Sequence, residues 1–249
     1  MPRGRARGYD DQREQILARA ARLFAARGYT ATSMNEVAEA CGVSKPTLYH
    51  YVRDKRQLLV EIAEAHIVRL QAIVAEVAAV AHPADERLRR LIAAFLEIYA
   101  NSQAEHRVLT EDVKFLAPAD RRRILDGERK VVDAFADAIV AARPELRGAG
   151  LAKPLTMLLF GMMNWMFTWL RPNGALTHAD MTPVVADLFF GGLGAVRAPG
   201  RPPAGRKTGP ATLLEPRNGD LPCPPLKDLP SPSASPRRPR SRAPTSTSA

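Results

Sequence analysis

Apolar residues recur at intervals of three and four from about residue 10 to residue 195, a pattern typical of helices packed on a common core. Proline, glycine and asparagine interrupt the pattern at short intervals and divide it into nine predicted helices. The last six of these span about 54–80, 85–101, 104–116, 119–142, 150–170 and 179–195. We therefore expect an all-α fold.

The first 60 residues contain clear helix start and stop signals. The first predicted helix runs through Ile16 and Phe24 and ends at Gly28, and the second ends at Gly42. An S-x-x-E pattern, Ser33 with Glu36, predicts a capping box at the start of the second helix. A D-x-x-Q pattern, Asp54 with Gln57, predicts another at the start of the fourth helix, and Ser44 is predicted to cap the short third helix.

Residues 33–51 form a helix, a tight turn with glycine and a second short helix, which is the layout of a helix-turn-helix. Leu48 is the apolar anchor of the second helix, and Tyr51 is expected to pack inside the small domain. The other side chains of this helix leave a polar and aromatic open face suited to base edges and phosphates: Lys45, Thr47, Tyr49 and His50. Lys55 follows at the start of the next helix.

The run "ILARAARLFAARGYTATSMNEVAEACGVSKPTLYHYVRDKRQLLVEI" resembles the DNA-binding domain of the TetR family of bacterial transcriptional regulators. The resemblance covers about 50 consecutive residues and implies a three-helix DNA-binding domain followed by a helical bundle that binds a ligand and dimerises. It implies DNA contacts at eight positions: Thr32, Ser33, Ser44, Lys45, Thr47, Tyr49, His50 and Lys55.

Large apolar side chains are concentrated in "GMMNWMFTWL", residues 161–170. Trp165 and Trp169 are four residues apart and share one face of the predicted helix, beside methionine and phenylalanine. Such side chains suit a roomy apolar pocket or an adaptable interface. The spacing itself favours the bundle core or a dimer seam.

Residues 111–129, together with the tryptophan stretch and "RPNGAL" after it, resemble the TetR-type regulators that respond to acyl-CoA thioesters. A CoA thioester needs an apolar slot for its acyl group and cations for its phosphates. The resemblance implies eight ligand-binding residues: Phe95, Tyr99, Arg123, Met162, Trp165, Met166, Trp169 and Arg171. Arg121, Arg122 and Arg129 are further candidates for the phosphates.

By the same resemblance, the helices at about 150–170 and 179–195 form a homodimer seam, and the glycines of "DLFFGGLGAV" allow close approach. A two-fold dimer places two recognition helices one DNA turn apart, so the partner is expected to be a pseudo-palindromic double-stranded operator. Ligand binding is expected to change the spacing of the two DNA-binding domains through the fourth helix and to release a repressor.

Charge and composition divide the chain into four segments. Residues 1–60 carry 11 Lys and Arg against 6 Asp and Glu, residues 61–197 carry 16 against 17, and residues 198–249 carry 9 against 3 together with 13 prolines. We expect a flexible basic segment at 1–9, a DNA-binding domain at 10–56, a ligand-binding and dimerisation domain at 57–197, and a disordered tail at 198–249.

Other classes of protein are less consistent with the sequence. Two cysteines, Cys41 and Cys223, suggest neither a disulfide framework nor a metal site, and no catalytic constellation or cofactor motif is visible. The 16-residue apolar stretch 155–170 is short for a membrane span, so a cytoplasmic protein is expected. The alternatives are a drug-sensing efflux repressor of the same family, a ligand-independent DNA-binding protein and a CoA-thioester enzyme.

Overall fold

The computed structural model describes residues 7–171 and 174–197, and within these ranges every regular element is a helix, so the expected all-α fold is confirmed. Two short 3₁₀ turns, Val113–Phe115 and Pro144–Ala149, follow α6 and α7. The α-helices are α1 Arg7–Arg27, α2 Met34–Cys41, α3 Lys45–Tyr51, α4 Lys55–Ala79, α5 Ala84–Asn101, α6 Gln103–Asp112, α7 Pro118–Ala142, α8 Ala152–Asn164, α9 Met166–Trp169 and α10 His178–Leu193.

The first three helices enclose a small core whose central side chains, Ile16, Phe24, Val37 and Leu48, are almost completely buried. Ser33 and Glu36 form the predicted capping box, and Gly42 ends α2 in the left-handed conformation, with φ of 65°. The second predicted box is only half formed. Asp54 accepts from the Gln57 N–H, but the Gln57 side chain accepts from the Arg53 N–H instead of from Asp54.

Helix α4 is continuous across the domain boundary predicted at residues 56 and 57. It packs on α1 near its start and on α5, α6 and α7 further along, so one rigid element belongs to both parts of the protein. At the other end of the chain, α10 packs on α5, and α8 packs on α7. The bundle core forms where aromatic rings of α5, α7 and α8 meet, at Phe95, Phe135 and Phe160.

Two predicted helices are interrupted. The helix expected at 104–116 ends at Asp112 and continues as the 3₁₀ turn, and the helix expected at 150–170 breaks at Trp165. The break has a local cause, because the Thr168 N–H and hydroxyl both donate to the Trp165 carbonyl, at 3.1 and 2.7 Å, and tighten the turn. The two tryptophans therefore do not share one continuous helix.

Several predictions concern parts of the chain that lie outside the described residues. They are the disordered tail at 198–249, with Cys223, and most of the flexible segment at 1–9. Within that last segment, Arg7, Gly8 and Tyr9 already belong to α1. The Tyr9 ring stacks on the Tyr51 ring with centroids 4.7 Å apart, which fixes the start of α1 against the end of α3.

Candidate DNA-binding surface and effector pocket

Helix α3 begins with a side-chain cap that fixes its exposed first turn. The Thr47 N–H donates to the Ser44 hydroxyl at 3.2 Å, and the two hydroxyls lie 2.7 Å apart. Leu48 is fully buried and anchors the helix on the small core. Ser44, Lys45 and Thr47 are consequently held on the exposed side of α3.

The second turn of α3 is built from aromatic side chains. Tyr49 is 44% exposed, and His50 is also exposed, with its ring edge against the Tyr9 ring. Tyr51 is half-buried in its stack with Tyr9, which confirms the prediction that it packs within the domain. Tyr49 and His50 thus extend the exposed surface that Lys45 begins.

Two of the eight predicted DNA contacts are held inside the protein instead. Thr32 is buried, and its hydroxyl donates to the Gly28 carbonyl at 2.9 Å. The Lys55 ammonium donates to the carbonyls of Tyr29, Thr30 and Thr32 at 2.9, 3.3 and 2.8 Å. An ammonium has three N–H donors, so all of them are used. Both side chains therefore hydrogen-bond to the loop before α2, whereas the sequence had predicted that they contact DNA phosphates.

Three further exposed side chains could contact DNA. One of them, Ser33 at the start of α2, was predicted, and two at the start of α4, Arg53 and Arg56, were not. Ser33 is exposed, although its hydroxyl and N–H both donate to Glu36, and these hydrogen bonds lower the pKa of the Glu36 carboxyl. Arg53 and Arg56 are exposed directly after α3, and the Arg53 side chain is 82% exposed. Their position just past the recognition helix was the signal that could have identified them.

A cavity of about 660 Å³ lies in the bundle, between α4, α5, α6, α7 and α8. Most of its lining is apolar, and the two ends differ in chemistry. The apolar middle is formed mainly by Ile67, Leu70, Leu109, Leu125, Val131 and Phe160. A cavity of this size and composition suits a small organic ligand.

The charged end of the pocket, defined by Glu111, Lys114 and Arg121, lies where α6 and α7 are joined by a short turn. All three side chains are exposed. Among the described residues, neither Lys114 nor Arg121 has a carboxylate within ion-pair distance. Two cations without carboxylate partners at a cavity opening favour an anionic group on the ligand.

The neutral end of the pocket, defined by Tyr99, His106 and Asn164, lies one to two helical turns away along α6. The His106 ring stacks on the Tyr99 ring, with centroids 3.7 Å apart. His106 Nδ1 lies 3.4 Å from Nε2 of the buried His66. The other side of the ring, His106 Nε2, and the Asn164 Oδ1 atom are buried without a hydrogen-bond partner.

Burial shifts the pKa of four titratable groups near the neutral end toward the uncharged form. Burial, and to a smaller extent the charge of Arg69, lowers the pKa of His66 to about 4. Burial and then the charge of His66 lower the pKa of His106 to about 3, which the nearby Asn164 side chain opposes. Burial raises the pKa of the half-buried Glu128 carboxyl and, together with Glu128, that of the Tyr99 hydroxyl.

Of the eight residues predicted to bind the ligand, only Tyr99 lines this cavity. Phe95 is fully buried behind it and contacts the rings of Tyr99 and Phe160 at 5.9 and 6.2 Å. Met166 is buried in the core, and Met162 packs against the core. These side chains support the lining without reaching the cavity.

The remaining four predicted residues lie on the outer surface. Trp165 and Trp169 are 64% and 49% exposed, and Arg171 is exposed. Arg123 pairs with Glu64 and Asp120 at 2.8 and 2.9 Å. Helical geometry explains this last difference, because Arg123 lies about 200° around α7 from Arg121.

The lining residues that were not predicted have a helical spacing that the sequence contains. Arg121, Leu125, Glu128 and Val132 of α7 are spaced i, i+4, i+7 and i+11, which is one face of a helix. On α6 and α8 the same spacing places His106 and Asn164 among apolar neighbours. A polar residue within an apolar stripe was the signal that could have identified them.

Two parts of the chain each match a family of known proteins. Residues 16–62 match the family described as "Bacterial regulatory proteins, tetR family", and residues 81–193 match "Tetracyclin repressor-like, C-terminal domain". A TetR-family transcriptional regulator from Bordetella parapertussis is 32% identical, with a TM-score of 0.68 over 71% of this chain and 93% of that one. The chain belongs to the TetR family of transcriptional regulators. It is therefore a regulator and not an enzyme.

Two further proteins similar to this TetR-family regulator have names or descriptions that state a regulatory role or a bound ligand. The transcriptional activator FasR of Mycolicibacterium smegmatis is 28% identical over 137 residues, which are 55% of this chain and 63% of FasR. AibR, solved in complex with isovaleryl coenzyme A and operator DNA, is 27% identical, with a TM-score of 0.62 over 71% of this chain and 97% of AibR. The named relatives thus include a transcriptional activator.

The described part of the regulator has neither a candidate membrane-spanning helix nor a candidate metal site. No helix in it is long and apolar enough to cross a membrane. No group of three or more histidine, cysteine, aspartate or glutamate side chains in it is arranged to hold a metal ion. Cys41 is buried as a free thiol, and burial raises its pKa.

The buried histidine pair predicts loss of stability in acid. The folded-state pKa values of His66 and His106 lie below the value of about 6.5 expected for an unfolded chain, so only the unfolded state takes up protons as the pH falls from 6.5 to about 4. Each histidine is expected to cost about 2 kcal/mol of unfolding free energy at pH 5. Urea unfolding at pH 7 and pH 5 measures the loss.

Variants at two histidines separate this effect from general acid sensitivity. His66→Gln is expected to reduce the difference in unfolding free energy between the two pH values, whereas His82→Gln in the α4–α5 connection is expected to leave it unchanged. Equal pH dependence in the wild type and His66→Gln would contradict the assignment.

Proposed function

We propose that this regulator is a homodimer that binds a pseudo-palindromic operator through α3 and responds to a small molecule in the bundle pocket, acting as a repressor. The carrying observation is that one segment, the end of α6 and its 3₁₀ turn, lines the pocket and also contacts the DNA-binding domain. Ligand binding is proposed to lower operator affinity by about 1–3 kcal/mol.

The contact between the two parts is specific. Val113 and Lys114 of the 3₁₀ turn line the pocket, and the next residue, Phe115, stacks on the Tyr29 ring with centroids 5.5 Å apart. Tyr29 begins the loop that Lys55 fastens before α2. A ligand that moves the turn therefore moves the loop that positions α2 and α3. This supports coupling through the α6 turn in addition to the predicted route through α4.

The proposed DNA contacts are the exposed members of the predicted set: Ser33, Ser44, Lys45, Thr47, Tyr49 and His50. Lys45 and Tyr49 carry the charge and the aromatic surface of this group. Truncating a side chain that reads a base or holds a phosphate costs about 1–3 kcal/mol. We expect Lys45→Ala and Tyr49→Ala each to weaken operator binding by about tenfold or more, measured by fluorescence anisotropy on a duplex selected from random sequences.

Lys55→Met provides the contrasting variant. Because the Lys55 ammonium is bound to three carbonyls, its loss is expected to lower the melting temperature, while Lys45→Ala leaves that temperature unchanged. If both alanine variants bound the selected duplex as the wild type does, the proposed DNA-binding surface would be wrong.

The dimer seam is proposed on α8, α9 and α10, where large apolar side chains are exposed at helical spacing. Leu158 and Trp165 are 66% and 64% exposed on one side, and Val184 and Leu188 are 51% and 65% exposed on α10. Leu158, Gly161 and Trp165 follow one another at intervals of three and four along α8 and its C-cap, and Trp169 is exposed at the end of α9. A continuous apolar surface of this kind marks a protein interface more often than a free surface.

Charge placed on this surface tests the dimer. Leu188→Arg is expected to weaken dimerisation by about 2 kcal/mol or more, because a cation is then buried in an apolar seam. Val68→Arg is the matched control, since Val68 is 62% exposed on α4, outside the seam. Sedimentation velocity should show a shift to monomer for Leu188→Arg only. A dimer that persists in Leu188→Arg at low micromolar concentration refutes this seam.

A CoA thioester is the proposed effector. The pocket joins an apolar middle to two cations without carboxylate partners among the described residues, Lys114 and Arg121, which matches an acyl group attached to a phosphorylated carrier. The likeness to AibR, which was solved with isovaleryl coenzyme A, supports this class of ligand. Arg121 takes the place of the predicted Arg123, whose guanidinium is paired elsewhere.

Neighbouring arginines provide the test. Calorimetry with isovaleryl-CoA is expected to show binding to the wild type and to Arg122→Ala, and about tenfold weaker binding to Arg121→Ala, which loses a charge-assisted phosphate contact. Arg121 and Arg122 are both exposed on α7, but only Arg121 lines the pocket. The same compound should release the selected duplex. Equal affinities in the two variants would contradict phosphate binding at the charged end.

A lipophilic cation is the second candidate, and Glu128 favours it. This half-buried carboxyl lines the pocket near Tyr99 and Phe160 and has no ion-pair partner among the described residues. Burial raises its pKa, and a bound cation would lower it again. Binding of the cationic dye rhodamine 6G that is lost in Glu128→Gln, together with no response to acyl-CoA, would decide for this candidate.

A further inference from the structure

The neutral end of the pocket carries two buried polar atoms that the fold leaves without a partner. His106 is 3% exposed, and its Nε2 atom makes no hydrogen bond. The Asn164 Oδ1 atom, on α8, is also buried and unpaired. Both residues line the same cavity. The two side chains are neighbours, since Asn164 raises the pKa of His106, but the two atoms do not meet hydrogen-bond geometry with each other. Buried polar groups in folded proteins almost always find a partner, so one ligand group that reaches both atoms would complete them.

The neighbouring histidine determines which of these atoms donates. His66 Nε2 and His106 Nδ1 lie 3.4 Å apart. Because both histidines are neutral, only one of these two nitrogens carries a proton in a hydrogen bond between them. If His106 supplied it, a His66 Nδ1–H donor would be left buried and unpaired. Either assignment leaves one imidazole N–H without a protein partner, but only His106 lines the cavity, where a ligand can accept that hydrogen bond. We therefore assign the shared proton to His66 Nε2. His106 then carries its own proton on Nε2, directed at the pocket.

The His106 ring has little freedom to turn away from this arrangement. It stacks on Tyr99 at 3.7 Å, and its edge faces the Phe167 ring at 6.3 Å. The neutral end therefore presents one fixed donor, His106 Nε2–H, and one acceptor, Asn164 Oδ1. A single hydroxyl group satisfies both, since it accepts one hydrogen bond and donates another.

We propose that His106 and Asn164 form a hydroxyl-binding site at the neutral end of the pocket, which selects effectors carrying an uncharged hydroxyl on their apolar part. The ligand oxygen accepts from His106 Nε2–H and donates to Asn164 Oδ1, and Tyr99 and His66 hold the imidazole in place. A ketone or an ether at this position accepts from His106 but leaves Asn164 Oδ1 unpaired. The inference rests on the proposed function of the cavity as the effector pocket, and it specifies the effector further.

A matched pair of probes tests the site without requiring the natural effector. 2-Naphthol and 2-methoxynaphthalene share one ring system, but only the naphthol can donate a hydrogen bond. We expect the wild-type protein to bind the naphthol at least about tenfold more tightly by calorimetry. The preference should disappear in Asn164→Leu and persist in Asn101→Leu, a matched substitution on the surface of α5, whereas His106→Gln, which removes the imidazole donor that serves both probes, should weaken the binding of both. Circular dichroism establishes that each variant is folded.

Histidine nitrogen shifts provide a second readout that does not depend on the variants. In protein labelled with ¹⁵N-histidine, the naphthol should shift the His106 Nε2 resonance, which is assigned by its absence from His106→Gln. Equal affinity of the wild type for the two probes, or a naphthol preference that survives Asn164→Leu, overturns the inference. A shift of His106 Nε2 from a protonated to an unprotonated value also overturns it, because the donor is then the ligand alone.

The isovaleryl-CoA titration keeps the two proposals distinct. If that compound binds but the probes show no hydroxyl preference, the hydroxyl site is wrong and the CoA effector stands. If the probes show the preference and isovaleryl-CoA does not bind, the hydroxyl site stands and the effector belongs to another class. Failure of both experiments rejects the site as well as the CoA proposal.

Discussion

The loop between α1 and α2 is the constraint on which the rest of the structure depends. The Lys55 ammonium, at the start of α4, donates to three carbonyls of this loop, and the Thr32 hydroxyl closes it onto Gly28. Because α4 continues into the bundle, this hydrogen-bonded junction joins the small core to the larger one. The recognition helix takes its orientation from the loop through α2, and Phe115 reaches the same loop from the pocket.

The pocket shows why such a junction is useful to a regulator. A rigid bundle with a filled core offers little response to a small molecule, but this cavity leaves polar atoms unpaired at one end and, among the described residues, cations without carboxylate partners at the other. A ligand that matches these groups therefore has hydrogen bonds to gain. The α6 turn lies between this cavity and the Tyr29 ring, so any rearrangement there affects both.

Much of the fold could be predicted from the sequence, because it depends on local signals. Three signals depend only on residues close together in the sequence: the helix period, the Ser33 cap and the Gly42 stop. These signals predicted the helix-turn-helix correctly. The break at Trp165 could not be read in this way, because it comes from Thr168 bonding the Trp165 carbonyl instead of extending the helix. That break belongs to the outer surface of the bundle, where both tryptophans are exposed.

The candidate site was predicted less well for a related reason. Residue type indicates what a side chain is able to bind, but tertiary contacts determine whether it is free to do so. Lys55 is a residue type that binds phosphate, but its ammonium donates to three carbonyls of the protein. Arg123 is another such residue, but its guanidinium pairs with Glu64. His106 and Asn164 went unnoticed because their importance lies in missing partners, which only the folded chain reveals.

The most direct test of the account is the coupling between effector and operator in Phe115→Ala. The Phe115 ring stacks on Tyr29 and touches none of the proposed DNA-binding side chains, so operator affinity without effector should be unchanged in the variant. Because the Lys114 ammonium of the pocket lining lies 5.2 Å from the Phe115 ring centroid, effector affinity without operator is measured separately and effector is then used at saturation. Operator affinity is then measured with and without saturating effector. We expect the effector to change operator affinity about tenfold or more in the wild type and in Phe115→Tyr, and by a factor close to one in Phe115→Ala. Undiminished coupling in Phe115→Ala would contradict this expectation.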